Sequence, residues 1–382
     1  MITPIQCFIG QVVILLVWYL ICALLYPIIK NKKQIKVLDI VNYSMYILLM
    51  TYRPINLNDT QVYFERFNKI DPYKVYEFRF GREATTDFEY MFVYFIQLVK
   101  RIGGNFRAFN FLISIILLLL LVKGVKKIAI EEKTFNTALF LAIVLSNFGI
   151  YYNAVVLRGA LAISFTFYAF STFSTKKGNK ILGYIGEGVG FLFQRMGILG
   201  WSLPVLYKMI PAWKKKSTYL KIWFGIFLVW IIEYKVMLLL KIFRKTVELV
   251  ASIVPVLANY ANYLAYSYQE GILFLLIEIA YIINILYLVC YKRNSKCEDK
   301  ILGISLVGGF VLSIGMRFKF ITRITDFFLI VLIPLNYLIN SRYRPIKRSN
   351  NGVCISMQYM LLVIILFMYL VPQIRAITYY IY

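Results

Sequence analysis

Residues 111–122 read Phe-Leu-Ile-Ser-Ile-Ile-Leu-Leu-Leu-Leu-Leu-Val, a stretch without a charge in which Ser114 alone is polar. Comparable runs recur from one end of the chain to the other. A helix of about 17–25 such residues crosses roughly 30 Å of hydrocarbon. Strands of a membrane barrel would instead alternate in polarity over segments of about ten residues. The runs here do not alternate, so they are read as helices.

Composition points the same way. Apolar residues make up 60% of the 382, aromatic residues 17% and charged residues 16%. Soluble domains average about 45–50% apolar and about 25% charged. A single soluble core cannot absorb that excess, because much of any globule stays in contact with water. The net charge of +25 would suggest nucleic acid in a soluble protein. In a membrane protein it reflects the Lys and Arg that fix topology, so no nucleic-acid partner is expected. The five cysteines (Cys7, Cys22, Cys290, Cys297 and Cys354) have neither disulfide nor zinc spacing. Histidine is absent, which excludes Ser-His-Asp triads, histidine metal sites and histidine bases. Residues 5–29 lack a basic leader and a small-residue cleavage site, and read as a retained first helix.

The expected fold is all-α, a polytopic bundle of about twelve spanning helices forming one integral membrane domain over residues 1–382. The spans are placed at 5–29, 37–52, 107–122, 134–151, 155–173, 181–196, 197–211, 220–240, 271–291, 301–316, 320–340 and 353–371. Six short connections (30–36, 123–133, 176–180, 208–221, 292–300 and 342–348) hold more than half of the 43 Lys and Arg residues. Alternating the spans puts all six on one side, which the positive-inside rule makes the cytoplasm. Two longer segments, 53–106 and 241–270, then face outward. Within the first, Phe88–Arg101 is too short to span and is expected to be an interfacial or re-entrant helix.

The outward side is not required to be basic, yet it is. The stretch 53–107 mixes nine basic residues with seven carboxylates and many aromatic rings, either an ordinary solvated loop or a carbohydrate-facing surface. Arg158 lies near the outward end of an otherwise apolar helix, a costly place for a cation. It either snorkels to headgroups or faces inward and binds an anion, since a guanidinium holds phosphate oxygens bidentately. Arg53, Arg195, Arg317 and Arg323 are placed on the same side, and five such arginines suggest a polyanion site. Asp326, three residues after Arg323, pairs with it or acts in catalysis. Glu187, in a glycine-rich helix, and Glu278 are intramembrane carboxylates, candidates for function or simply protonated or paired in the bundle. Asn153, Asn259 and Asn262 are further polar groups near the outer face. No phosphate-binding loop, dinucleotide fingerprint, zinc motif or Asp-x-Asp pair is present.

Several short motifs occur in order along the chain. Arg53-x5-Asp59-x3-Tyr63 comes first, then Phe88-Glu89 before the Gly103-Gly104-Asn105-Phe106 bend. Arg158-x-x-Leu161-Ala162, Phe193-Gln194 and Arg323-x-x-Asp326-Phe327-Phe328 with Pro334 follow. In this set and its order the sequence resembles the Wzy-type O-antigen and capsule repeat-unit polymerases, in particular the EpsG-like branch. It departs from their pattern at Gly159, where Gln commonly follows the arginine, and at Gln194, where His often stands.

The resemblance implies polymerisation of undecaprenyl-diphosphate-linked oligosaccharide repeats at the outer face of the bacterial inner membrane. It implies no metal, nucleotide sugar or other cofactor. Arg158 and Arg323 would stabilise the leaving diphosphate, with Arg195 and Arg317 in support. Asp59 and Glu89 are the candidate bases for the acceptor hydroxyl. Arg53, Tyr63, Gln194 and Asp326 would bind substrate. Membrane lipids, a chain-length regulator and a flippase are the expected partners. The rival readings are a lipid-linked oligosaccharide flippase and an O-antigen ligase. A flippase should show internal repeats and charges through the depth of a cavity; neither is seen in the sequence.

Overall fold

A computed structural model describes residues 3–79, 82–83, 88–129, 135–175, 178–213, 215–236, 272–315, 319–342, 346–349 and 352–378, with a few positions between 241 and 252. The chain is an integral membrane protein and mainly helical. Among the described residues five helical stretches are long and apolar enough to cross a membrane: Pro4–Leu25, Phe106–Ile128, Thr137–Ala154, Lys216–Tyr234 and Met357–Arg375. Leu275–Cys290 and Phe327–Ser341 are apolar but shorter.

Among the described residues, two of the expected spans are not single long helices. The expected span 181–196 is a 14-residue helix, Lys180–Phe193, about 21 Å long. The next one, 197–211, is a 3-10 stretch, Arg195–Trp201, followed by an eight-residue helix, Ser202–Met209. Two small antiparallel hairpins, Phe78–Arg79 with Arg82–Glu83 and Ile346–Ser349 with Gly352–Ile355, are the strands found among the described residues. The outer segment expected at 241–270 lies almost wholly outside them.

Contacts divide the chain into two compact units, Met1–Pro204 with Asn336–Tyr382, and Val205–Leu335. In the first, α1 (Pro4–Leu25) starts on a capping box, Thr3 and Gln6 each accepting from the other's backbone N–H. α2 (Lys32–Thr51) is tied to it through Asn42, whose side chain accepts from Trp18 at 2.9 Å and whose backbone carbonyl accepts from Tyr19 at 2.9 Å. The segment after α2 is no solvated coil. It folds into α3 (Asn58–Lys69), the hairpin β1–β2 (Phe78–Arg79 and Arg82–Glu83) and α4 (Tyr90–Arg101). The 12 residues of α4 span about 18 Å, so α4 is too short to cross the membrane, as expected of Phe88–Arg101.

An aromatic cluster fixes this segment against α5 (Phe106–Ile128). Tyr63 lies 5.5 Å from both Phe88 and Phe92, and Phe67 lies 5.4 Å from Phe109, which is 5.6 Å from Phe92. Each pair contributes about 0.5–1.5 kcal/mol beyond its burial. The polar residues of α4 satisfy the backbone of the preceding loop. Gln97 donates to the carbonyls of Asp71 and Lys74, and Lys100 donates to that of Ile70 at 2.6 Å. Burial lowers the pKa of Lys100, with Asp71 opposing. Gly103 makes the turn into α5 at φ +77°, a conformation side chains resist, and Asn105 caps α5 by accepting from Ala108 at 3.0 Å.

The next helical stretch runs as α6 (Thr137–Val144), one π turn (Leu145–Gly149) and α7 (Ile150–Ala154). After a break at 155–156 comes α8 (Leu157–Ser174), and then α9 (Lys180–Phe193). Glycines let these elements meet: a Cβ at Gly124 would stand 2.6 Å from the Phe167 ring, and one at Gly197 would stand 2.7 Å from the Gly190 backbone. α10 (Ser202–Met209) follows the 3-10 stretch.

The second unit contains α11 (Lys216–Val236), α12 (Ile272–Cys290) and α13 (Lys296–Gly315). Trp223 donates to the Ile282 carbonyl at 2.9 Å and Trp230 to the Glu278 carboxylate at 2.7 Å. Tyr281 donates to the Ser305 carbonyl at 3.1 Å. Arg293 pairs with Asp299 at 2.7 Å and lies over the Tyr219 ring. α14 (Lys319–Ser341) runs from the second unit into the first, and α15 (Met357–Thr378) completes the first.

Candidate active site

The break at 155–156 sets the first turn of α8 against the folded segment 53–101, and Arg158 stands in that turn. Its Nη1 pairs with the Glu89 carboxylate. Its guanidinium lies 4.8 Å over the Phe88 ring and shares a hydrogen bond with the Tyr63 side chain. The Arg158 side chain is 20% exposed and that of Glu89 only 2%. Arg158 therefore turns inward onto protein and does not snorkel to headgroups. Glu89 is the residue immediately before α4, where a carboxylate also favours the helix N-terminus.

Tyr63 is an electrostatic neighbour of both Arg158 and Arg53. Burial raises its pKa, the neighbouring Arg158 charge opposes the rise, and Asp59 adds to it. Arg53 is 4% exposed and donates to the Met50 carbonyl at 2.5 Å and to Asn110 Oδ1 at 2.8 Å. It thus closes the last turn of α2 and anchors it to α5. Burial pulls its pKa down to about 9, with Tyr63 and Tyr46 opposing, so it remains a cation at neutral pH. Asp59 lies in the first turn of α3, half-buried. One residue on, the Thr60 hydroxyl donates to the Ala154 carbonyl at 2.5 Å. Thr60 and Tyr63 therefore clip α3 to the two sides of the 155–156 break.

Gln194 ends α9 in extended backbone. Its Oε1 would lie 3.0 Å from a Cβ added at Gly159, which itself follows Arg158. The lack of a side chain at 159 is what lets the Gln194 amide pack against α8 at the residue after Arg158. Arg195 is next in sequence, and its Nη2 is buried with no hydrogen-bond partner among the described residues. Asn153 is fully buried and donates to the Tyr46 hydroxyl at 3.2 Å.

The structure thus brings Arg158, Glu89 and Tyr63 together, with Arg53 and Asp59 as electrostatic neighbours of Tyr63 and Gln194 against Gly159, the residue after Arg158. Arg317 lies outside the described residues, as do Asn259 and Asn262. Arg323 and Asp326 fall in the first turns of α14, their side chains outside the described residues. Glu278 accepts from Trp230, whereas both carboxyl oxygens of Glu187 are buried without a hydrogen-bond partner among the described residues.

Sequence reading missed Asn110 and Thr60. Asn110 had a signal, an amide within the otherwise apolar 108–113. Thr60 had none, because its partner is a backbone carbonyl 94 positions away.

The cluster joins a guanidinium, which carries five N–H donors, to a carboxylate and a phenol, groups able to hold an anion and a hydroxyl. No curated protein and no solved structure matches the chain. A family model, that of the EpsG family, matches residues 36–381. From that match over nearly its whole length, the chain belongs to the EpsG family.

Proposed function

We propose that the protein is a Wzy-type repeat-unit polymerase, a metal-independent glycosyltransferase of the bacterial inner membrane. It joins undecaprenyl-diphosphate-linked oligosaccharides into an O-antigen or capsule chain at the outer face. The observation that carries this reading is the inward-turned Arg158, held against Glu89, Tyr63 and Phe88 of the folded segment 53–101, in a chain of the EpsG family.

In the proposed step the acceptor hydroxyl oxygen attacks the anomeric carbon at the reducing end of the growing chain. The bond from that carbon to the diphosphate oxygen breaks, and the lipid diphosphate leaves with the electron pair. Arg158 supplies donors to the negative charge that develops on the leaving oxygen. Glu89 and Asp59 are the candidate acceptors of the hydroxyl proton. The pairing with Arg158 keeps Glu89 oriented, and the guanidinium presents its positive charge and N–H donors to the diphosphate. Gln194 hydrogen-bonds a sugar hydroxyl or phosphate oxygen, Arg195 assists, and Arg53 acts through α2 and Asn110. Arg317, Arg323 and Asp326 are assigned to the same reaction by resemblance. About twelve crossings with both termini outward remain part of the proposal. A chain-length regulator and a flippase are the proposed partners.

Gene deletion with carbohydrate analysis tests it. A polymerase mutant leaves single repeats on the surface. Absence of any surface repeat marks a flippase, and finished polymer retained on its lipid carrier marks a ligase. Either of the last two outcomes removes the proposal.

A further inference from the structure

The helical ladder over Thr137–Ala154 opens at the π turn Leu145–Gly149. Isolated π turns inside helices recur at functional sites, where the widened turn shifts the residues on its C-terminal side. In a π ladder the carbonyl of residue 146 would accept directly from the N–H of residue 151. Here a side chain from α15 stands between them. Gln373 Nε2 donates to the Ser146 carbonyl, and its Oε1 accepts from the Tyr151 N–H at 3.2 Å. One primary amide thus satisfies a donor and an acceptor that the widened turn would leave without their ladder bond.

A chain of hydrogen bonds leads from Gln373 to the site. The Tyr151 carbonyl accepts from Val155 at 3.0 Å and from Val156 at 3.1 Å, which closes the break before α8. The carbonyl of Ala154 accepts from the Thr60 hydroxyl, and Arg158, two residues past the break, donates to the Tyr63 oxygen. Every link lies within the first unit.

We propose that Gln373 is a positioning residue: its amide wedges the π turn open and thereby sets where α3 presents Tyr63 to Arg158. Its consequence for catalysis rests on the proposed role of the Arg158 cluster in polymerisation; the mechanical link does not.

Hydrogen–deuterium exchange of the full chain in detergent, without substrate, tests the link. Gln373→Met keeps the length of the side chain and removes both hydrogen bonds. Exchange should rise about tenfold, the scale of one lost hydrogen bond, in two separated segments, 145–156 and 58–66, with α1 unchanged. Thr60→Val should raise exchange in 58–66, and the double variant should be no faster there than Thr60→Val alone. A rise confined to 370–376, a uniform rise through the first unit, or additive effects in 58–66 would each overturn the wedge. If the polymerase reading also holds, Gln373→Met lowers kcat for lipid-linked repeats and leaves KM little changed. Two-segment loosening without any polymerase activity in the wild type would overturn that reading alone.

Discussion

Replacing Glu89 by Gln keeps the shape of the side chain and removes the charge that Arg158 faces. Removing one partner of a fully buried pair costs about 3–5 kcal/mol, because the other charge is left without compensation. Arg158 is 20% exposed, and it keeps Tyr63 and the Phe88 ring, a cation–π contact of about 0.5–2 kcal/mol. The expected loss is therefore smaller, about 2–3 kcal/mol. For a unit of this size each kcal/mol moves Tm by about 2–4 °C, so Tm should fall by about 4–12 °C. Cys22 is 2% exposed; a variant retaining it as the sole cysteine reports unfolding through a thiol-reactive dye in detergent. Arg158→Met should cost a similar amount, since it strands Glu89. The double variant Glu89→Gln/Arg158→Met should be far less destabilised than the sum, with a coupling of about 2 kcal/mol. Additivity within about 0.5 kcal/mol would refute the pairing, and with it the inward orientation of Arg158.

Three further predictions concern neighbouring features. Asn110→Leu removes the partner of a buried guanidinium N–H and should cost about 1–3 kcal/mol; an unchanged Tm in the same dye assay would show that Arg53 has no need of α5. Gly197→Ala places a methyl 2.7 Å from the backbone of Gly190, which cannot rotate away. It should lower Tm through overpacking of about 1–3 kcal/mol, and a neutral effect would mean that the 3-10 stretch does not lie on α9. Glu187 has no hydrogen-bond partner for its carboxyl among the described residues, so Glu187→Leu should raise stability by about 1–3 kcal/mol. A marked fall in Tm would reveal an interaction of that carboxyl.

The helical class was legible in runs such as Phe111–Val122, because a membrane-spanning helix must be apolar all round and composition alone records it. The short α4 was legible from the length of Phe88–Arg101. The glycine turn at Gly103 and the cap at Asn105 were also written in local sequence. The continuous span expected at 197–211 was not found, because hydropathy cannot distinguish one helix from a 3-10 stretch feeding a short one. Glycine contacts with Gly190 and Thr166 decide that. At the site, the unusual position of Arg158 was visible as a cation in an apolar run. Its pairing with Glu89 was not, since 69 positions separate them and only the fold of the segment 53–101 joins them. The same holds for Gln373 and the π turn, where the information lies in two backbone groups and not in a motif.

The reconstituted reaction tests the central claim most directly. Purified protein in proteoliposomes, supplied with undecaprenyl-diphosphate-linked repeats, should produce a ladder of chain lengths. Arg158→Ala, verified as folded by its exchange pattern, should leave the repeats as monomers. A full ladder from that variant would contradict the assignment of diphosphate stabilisation to Arg158, and no ladder from the folded wild type would contradict polymerisation itself.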